Sequence, residues 1–198
     1  ASKGVPAALL VTRFIARTVR FDAGPVRVKS ISDGHDEGGL PPAASVGEYV
    51  ERLESSGSAS LAALIEEGHF THVVYDSFMH WVARTARGLG RPAVPFSTQS
   101  CAASTVYYYI NSGLLDAPPP GDNAGVRSEP FAGLPGLERW EFPSFLFHDE
   151  PYPTLTAPAL AQFADQDAGD WVLLNSFDDL EYEVRIRSLI FFPFKTCF

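Results

Sequence analysis

Cysteine is scarce in this chain, and basic residues never cluster. The two cysteines among 198 residues, Cys101 and Cys197, lie far apart, so we expect free thiols in a reducing, cytosolic setting rather than a disulfide framework. The 15 Lys and Arg residues face 24 acidic ones, which gives a formal charge of -9. A surface for nucleic acid or anionic lipid needs grouped cations, so the composition argues against both partners.

Long apolar runs are also lacking. A membrane helix needs about 20 consecutive apolar residues, and the phenylalanine-rich end at 189–198 is too short and is interrupted by Pro193 and Lys195. The start, Ala-Ser-Lys-Gly, has neither an initiator Met nor the pattern of a signal peptide. We therefore expect no membrane insertion and a cytoplasmic location.

Three kinds of catalytic motif are missing: a glycine-rich phosphate loop, a serine elbow and paired metal ligands. His35 lies near Asp33, Asp36 and Glu37, which are metal-binding residue types, but on a glycine-rich loop without ligand spacing. We expect a solvated turn there, no metal site and no bound cofactor. The five histidines are the candidate general bases. None of them lies at the end of a predicted strand, whereas one acidic residue further along the chain does.

What the chain does contain is an alternation of short apolar runs with helical patterns. Ser45 and Glu48 form a capping-box pattern for a helix. The helix could continue or restart after the serine-rich residues 55–60, and it reaches Gly68, a C-terminal cap. The alternation predicts an α/β fold with a Rossmann-like parallel sheet and helices on both faces. The apolar runs that we interpret as strands are 7–12, 26–31, 73–75, 93–96 and 171–175.

Asp76 ends the third of these runs. Ligands of open α/β sheets lie at the carboxyl ends of strands, which makes Asp76 a candidate for chemistry; it could equally be the N-cap of a helix running from Met79. Thr98, Gln99 and Ser100 follow the next run and could hydrogen-bond a ligand, although helix capping is the simpler interpretation. Residues 116–153 are rich in Pro, Gly and aromatic side chains, and we expect a loop packed over the mouth of a pocket.

Five motifs, in this order, resemble the N-terminal half of plant UDP-dependent glycosyltransferases that glucosylate small molecules. The resemblance is to the branch that acts on phenolic, acyl-acid and terpenoid acceptors, and it extends to about Val184. The motifs are ISDGHDEGG (31–39), VVYDSF (73–78), PFSTQSCA (95–102), FPSFL (142–146) and DWVLLNSFDDLE (170–181).

The resemblance implies a GT-B enzyme in which two Rossmann-like halves, one for the acceptor and one for UDP-glucose, face each other across a cleft. A histidine after the family's first strand deprotonates the acceptor, and an aspartate matched by Asp76 orients that histidine. Thr98 matches a threonine that touches the donor sugar. Phe78, Ser100 and Tyr107 match positions that line the acceptor pocket.

The resemblance also has limits. Residues 1–4 match the end of the family's first helix, so we expect the first strand and the histidine loop to be absent, which would leave the sheet marginally stable. We expect residues 1–184 to be a partial acceptor-binding domain, 185–198 to be a tail without family character, and the donor-binding domain to be absent. Alone, the chain is expected to be inactive; the alternative is a non-catalytic acceptor-binding or dimerising module.

Overall fold

A computed structural model describes residues 4–39, 45–118, 127–147, 155–163, 171–191 and 195–197. His148 and parts of the predicted irregular loop, at 119–126 and 148–154, lie outside the described residues. The chain forms two compact units, Ala1–Phe70 and Thr71–Phe198. All strand pairs of both units are parallel within the described residues, so the predicted α/β fold is confirmed.

The first unit contains a two-stranded sheet and two helices. Strands β1 (Ala8–Thr12) and β2 (Arg27–Ile31) pair in parallel, with helix α1 (Arg13–Thr18) between them in the chain. Thr12 caps α1 by accepting a hydrogen bond from the backbone N–H of Ile15. Helix α2 (Val46–Gly68) packs against β2. The two runs that we interpreted as strands in this unit are therefore confirmed.

Helix α2 is one continuous helix of 23 residues, although a break at the serine-rich 55–60 was also open from the sequence. Its buried residues recur every fourth position and therefore lie along one face of the helix; they are Leu53, Gly57, Leu61 and Ile65. The predicted capping box of Ser45 and Glu48 is present.

The end of α2 differs from the prediction by one residue. Gly68 is the last helical residue, and His69 adopts the left-handed C-cap conformation with φ 51° and ψ 36°. A Cβ at position 68 would meet the ring of Phe70, so a larger residue there would require that ring to move. The chain then turns into the second unit.

The second unit contains a four-stranded sheet of order β3-β4-β5-β6. The helices α3 (Trp81–Gly88), α4 (Cys101–Asn111), α5 (Thr156–Ala161) and α6 (Asp178–Phe191) accompany the sheet, and short 3-10 turns lie at Arg139–Glu141 and Ser144–Leu146. The strands are β3 (Val73–Asp76), β4 (Ala93–Ser97), β5 (Trp171–Leu174) and β6 (Lys195–Cys197).

The main apolar cluster of the second unit lies beside α4. Val106 and Tyr107 of α4 are buried there with Ala159 of α5. The remaining buried members come from the aromatic-rich stretch and are Leu137, Phe142, Leu146 and Phe147. The described part of that stretch is thus packed, as its apolar content predicts.

The C-terminal segment continues this unit. Helix α6 runs across the predicted boundary between 184 and 185, and β6 pairs in parallel with β5. The division into a family-like 1–184 and a tail at 185–198 stays a prediction. Within the described residues, none of the helices has both the length and the apolar character needed to cross a bilayer.

Candidate functional site

Three neighbouring strand ends of the second unit bring polar side chains to one edge of the sheet. Asp76 is the last residue of β3, Thr98 follows β4, and Asn175 follows β5. Backbone hydrogen bonds from Ser77 to Phe96 and from Asn175 to Ser97, both of 3.0 Å, keep the strands in register at this edge. The three side chains are therefore held at the place where parallel sheets bind ligands.

Asp76 is not the N-cap of α3, which was the alternative to a chemical role. Helix α3 begins at Trp81, and its N-cap is His80. One carboxylate oxygen of Asp76 accepts the backbone N–H of Phe78 at 3.0 Å, and the other accepts the Thr98 hydroxyl at 3.3 Å. These two bonds fix the carboxylate in place while the side chain remains partly exposed.

Thr98 connects the other two strand ends. Its hydroxyl donates to Asp76, and its backbone carbonyl accepts the Asn175 side-chain amide at 3.2 Å. Thr98 is itself exposed. The sequence predicted that Asp76 and Thr98 lie at the ends of two consecutive apolar runs; the structure pairs the two strands and brings the side chains together.

Ser100 and Gln99 act locally. The Ser100 hydroxyl accepts the backbone N–H of Ala103 at 3.1 Å and caps α4, so the capping interpretation of Ser100 is confirmed. Gln99 hydrogen-bonds the Tyr107 hydroxyl. Burial raises the pKa of Tyr107 to about 12, although the bond from Gln99 works in the opposite direction. Tyr107 is consequently a neutral phenol over the physiological range.

The predicted acceptor-lining residues differ in exposure. Tyr107 is only 1% exposed and is a member of the main apolar cluster. Phe78 is partly buried against that cluster and meets Phe145 edge-on, with ring centroids 5.9 Å apart. Ser100 is exposed. Phe78 and Ser100 therefore retain surface for a ligand, whereas Tyr107 lies inside the apolar cluster against which Phe78 packs. The contact of these three residues with an acceptor stays a prediction.

The sequence did not predict that Glu181 contributes to this region. Its carboxylate accepts the backbone N–H groups of Cys101 at 2.9 Å and Ala102 at 3.0 Å, and the Ser176 hydroxyl at 2.7 Å. Partial burial raises its pKa, but the hydrogen bonds from Ser176, Ala102 and Cys101 outweigh burial and lower the pKa below the usual range. Since about 80 residues separate the partners along the chain, no local pattern indicates this contact.

The glycine-rich loop after β2 in the first unit uses its acids internally. The Asp33 carboxylate accepts the His35 backbone N–H at 2.9 Å and the Tyr49 hydroxyl at 3.1 Å. Asp36 accepts Ser32 at 2.8 Å and pairs with Arg13 at 2.7 Å. These bonds engage the carboxylates in holding the loop. Nowhere among the described residues do three or more His, Cys, Asp or Glu side chains group as a metal site would require.

Several known proteins are similar to this chain. An indole-3-acetate beta-glucosyltransferase of Zea mays is 52% identical over 93% of the chain and 42% of its own length. A flavonol 7-O-beta-glucosyltransferase of Arabidopsis thaliana is 36% identical over 91% of the chain and 39% of its own length. No protein-family model matches. The chain thus spans about two fifths of the length of these relatives.

Solved structures show the same fold. Os79 from Oryza sativa in complex with UDP superposes with a TM-score of 0.80 at 29% identity, and the match covers 98% of this chain and 46% of that one. An anthocyanidin 3-O-glucosyltransferase in complex with UDP gives a TM-score of 0.68 at 19% identity, which supports the fold alone. The chain is therefore homologous to the N-terminal half of the plant UDP-dependent glycosyltransferases and has the fold of that half of their GT-B architecture.

Proposed function

We propose that this chain is the acceptor-binding part of an inverting glycosyltransferase that moves glucose from UDP-glucose to a hydroxyl or carboxyl group of a small molecule. The observation that carries the proposal is the Asp76 carboxylate, held at a strand end with Thr98 beside it. The 52% identity to the maize indole-3-acetate glucosyltransferase supports the same reaction. Phenolic and acyl-acid acceptors are the favoured substrates.

In the proposed reaction, a histidine removes the proton of the acceptor, whose oxygen attacks the anomeric carbon of glucose. The bond from that carbon to the UDP oxygen breaks, and UDP leaves with inversion at the sugar. Asp76 orients the histidine and stabilises its positive charge. The resemblance matches no histidine of this sequence to that base, so Asp76 is proposed as one member of a pair.

Thr98 is proposed to contact the donor sugar, and Phe78, Ser100 and Tyr107 to shape the acceptor pocket. The exposure of Thr98 and Ser100 and the apolar wall formed by Phe78 and Phe145 support these roles. The only small-molecule partners proposed are the acceptor and UDP-glucose. We also propose that the reaction uses no metal cofactor.

A cytoplasmic location and a role in plant secondary metabolism complete the proposal. The buried thiol of Cys101 and the scarcity of cysteine support a reducing compartment. The relatives named for flavonol and gallate acceptors support the metabolic role. The non-catalytic module is the less favoured alternative.

The test is a transfer assay with UDP-glucose and a panel containing indole-3-acetate, a flavonol, gallate and a simple alcohol. The 198-residue chain is assayed alone and as part of the longer glycosyltransferase to which we propose it belongs, called the full-length protein below, and products are identified by mass. We expect glucosides or glucose esters of the phenolic or acidic acceptors from the full-length protein and none from the isolated chain. Transfer by neither would contradict the proposal, and transfer by the isolated chain would show that the chain is catalytic by itself.

A further inference from the structure

We propose that Glu181 is a positioning residue for glucosyl transfer: its carboxylate fixes the start of α4 and thereby holds Thr98 and Ser100 in place. The inference rests on the proposed function and deepens it, because it assigns the geometry of the residues proposed to face the donor and the acceptor to a side chain that is bonded to the start of α4. Glu181 is the last residue of the motif that contains β5, and it is far from Thr98 and Ser100 along the chain.

The first step of the argument is a count of donors at the start of α4. A helix leaves its first backbone N–H groups without helical partners. Here Ser100 takes the N–H of Ala103, while Glu181 takes those of Cys101 and Ala102. Two side chains thus satisfy the first three N–H groups of the helix, and a negative charge at this end is also favoured by the helix dipole.

The second step concerns what this occupancy excludes. A free helix N-terminus is a ready site for phosphate or carboxylate. Since the first N–H groups of α4 are already bonded to Glu181 and Ser100, they have no capacity left for an anionic ligand. The start of α4 is therefore fixed in position and holds the residues before it in place. It does not serve as a phosphate site.

The third step concerns the segments that follow β4 and β5. The segment after β5 hydrogen-bonds the segment after β4 at several points. Asn175 donates its backbone N–H to the Ser97 carbonyl and its side-chain amide to the Thr98 carbonyl. Ser176 donates to Glu181, which bonds the first turn of α4. The short segment that carries Thr98 and Ser100 is therefore held at both of its ends by hydrogen bonds from the segment after β5.

The fourth step is local geometry and charge. Helix α6 is interrupted at Glu181, whose φ of -136° and ψ of 34° are not helical. The side chain is partly buried and accepts from three backbone or hydroxyl donors, with a further bond from the Cys101 side chain. The lowered pKa keeps the carboxylate ionised at neutral pH, so the full set of bonds is available there.

The test compares Glu181→Gln with the matched control Glu183→Gln, which changes an exposed glutamate of the same helix. Glutamine keeps the shape but has one acceptor oxygen, so at least one of the two N–H groups loses its partner. A small displacement of reacting groups can cost up to about 100-fold in rate. We expect kcat of the full-length protein to fall about tenfold or more in Glu181→Gln, with a smaller rise, of about twofold, in the KM for the acceptor that Ser100 faces, and no effect in the control.

Amide hydrogen exchange at Cys101 and Ala102 supplies the second readout. In the wild-type protein we expect faster exchange, beyond the intrinsic pH effect, as the pH falls through the pKa of Glu181, and no such step in Glu181→Gln. Ser176→Ala removes one donor but leaves the carboxylate, and we expect about a threefold loss of kcat; it serves as the test if Glu181→Gln does not fold.

The outcomes separate this inference from the proposed function. Wild-type kcat in a folded Glu181→Gln variant whose amides exchange faster would show that Glu181 only stabilises the helix, and would overturn the positioning role. No glucosyl transfer by the wild-type full-length protein would overturn the proposed function and the positioning role together. If Glu181→Gln does not fold, wild-type kcat in Ser176→Ala would also overturn the inference.

Discussion

The Thr98 hydroxyl lies 3.3 Å from a carboxylate oxygen of Asp76, so the ends of two neighbouring parallel strands are joined through side chains. The same carboxylate also accepts the Phe78 backbone N–H. This pairing leaves Asp76 with a fixed direction and partial exposure, which are the properties that an orienting acid needs. It also means that a change at either residue alters the surroundings of the other.

Removal of the Ser100 hydroxyl tests its capping role. Ser100→Ala leaves the Ala103 N–H without its side-chain acceptor, and loss of an N-cap costs about 1 kcal/mol. We expect the free energy of unfolding, measured with urea, to fall by about that amount, and Ser100→Thr to restore most of it. Equal stability of Ser100→Ala and the wild type would show that the cap contributes nothing.

The buried hydrogen bond between Ser77 and Gln162 joins residues 85 positions apart, at 2.9 Å. Ser77→Ala would leave the Gln162 oxygen buried without its donor, which costs about 1–3 kcal/mol. We expect Gln162→Met to cost less stability in the Ser77→Ala background than in the wild type, because there it removes an unpaired Gln162 oxygen, whereas the loss of the bond from the Gln162 amide to the Ala159 carbonyl is the same in both. Urea unfolding of the single and double variants measures this.

The exposed Ser112→Ala is the control for that cycle and should change little. Strictly additive effects of the two substitutions would contradict a coupled buried pair.

Tyrosine ionisation tests the environment of Tyr107. Burial raises the pKa of Tyr107 to about 12, and burial followed by the Asp33 charge raises the pKa of Tyr49 to about 12. For Tyr107, the folded pKa exceeds the usual value of about 10, so its contribution to stability is complete below pH about 10 and is lost as the pH rises through about 12. We expect a near-ultraviolet titration to show a late phase.

Tyr107→Phe should reduce the amplitude of the late phase without abolishing it, because Tyr49 and Tyr109, whose pKa burial also raises, remain. Ser112→Ala, which is exposed and removes no phenol, should leave the late phase intact and serves as the control. A late phase of unchanged amplitude in Tyr107→Phe would contradict the buried, neutral phenol.

The sequence predicted the strand ends because the rule behind them is local. A short apolar run that ends in a polar residue indicates a buried strand, and neighbouring parallel strands put their carboxyl ends at one edge. The sequence alone therefore indicates that Asp76 and Thr98 lie at the same edge of the sheet. The continuity of α2 was less certain, since serine-rich residues interrupt the pattern that Leu53, Leu61 and Ile65 maintain.

The contact of Glu181 with α4 could not be predicted in this way. It depends on the interruption of α6 at Glu181 and on the packing of two elements that are distant in the chain. The role of Asp76 could not be predicted in this way either, because the residues around Asp76 are equally suited to a helix N-cap. Only the position of the α3 start, at Trp81, separates the two interpretations.

The central claim is that Asp76 orients the base of a glucosyl transfer. The most direct measurement is kcat of the full-length protein with UDP-glucose and its best acceptor, for the wild type, Asp76→Asn and the exposed control Asp116→Asn. Because the neutral amide cannot stabilise a positively charged histidine, we expect kcat of Asp76→Asn to fall by about 10²–10⁴-fold while acceptor binding stays within about twofold. A kcat near that of the wild type and of Asp116→Asn would contradict the claim.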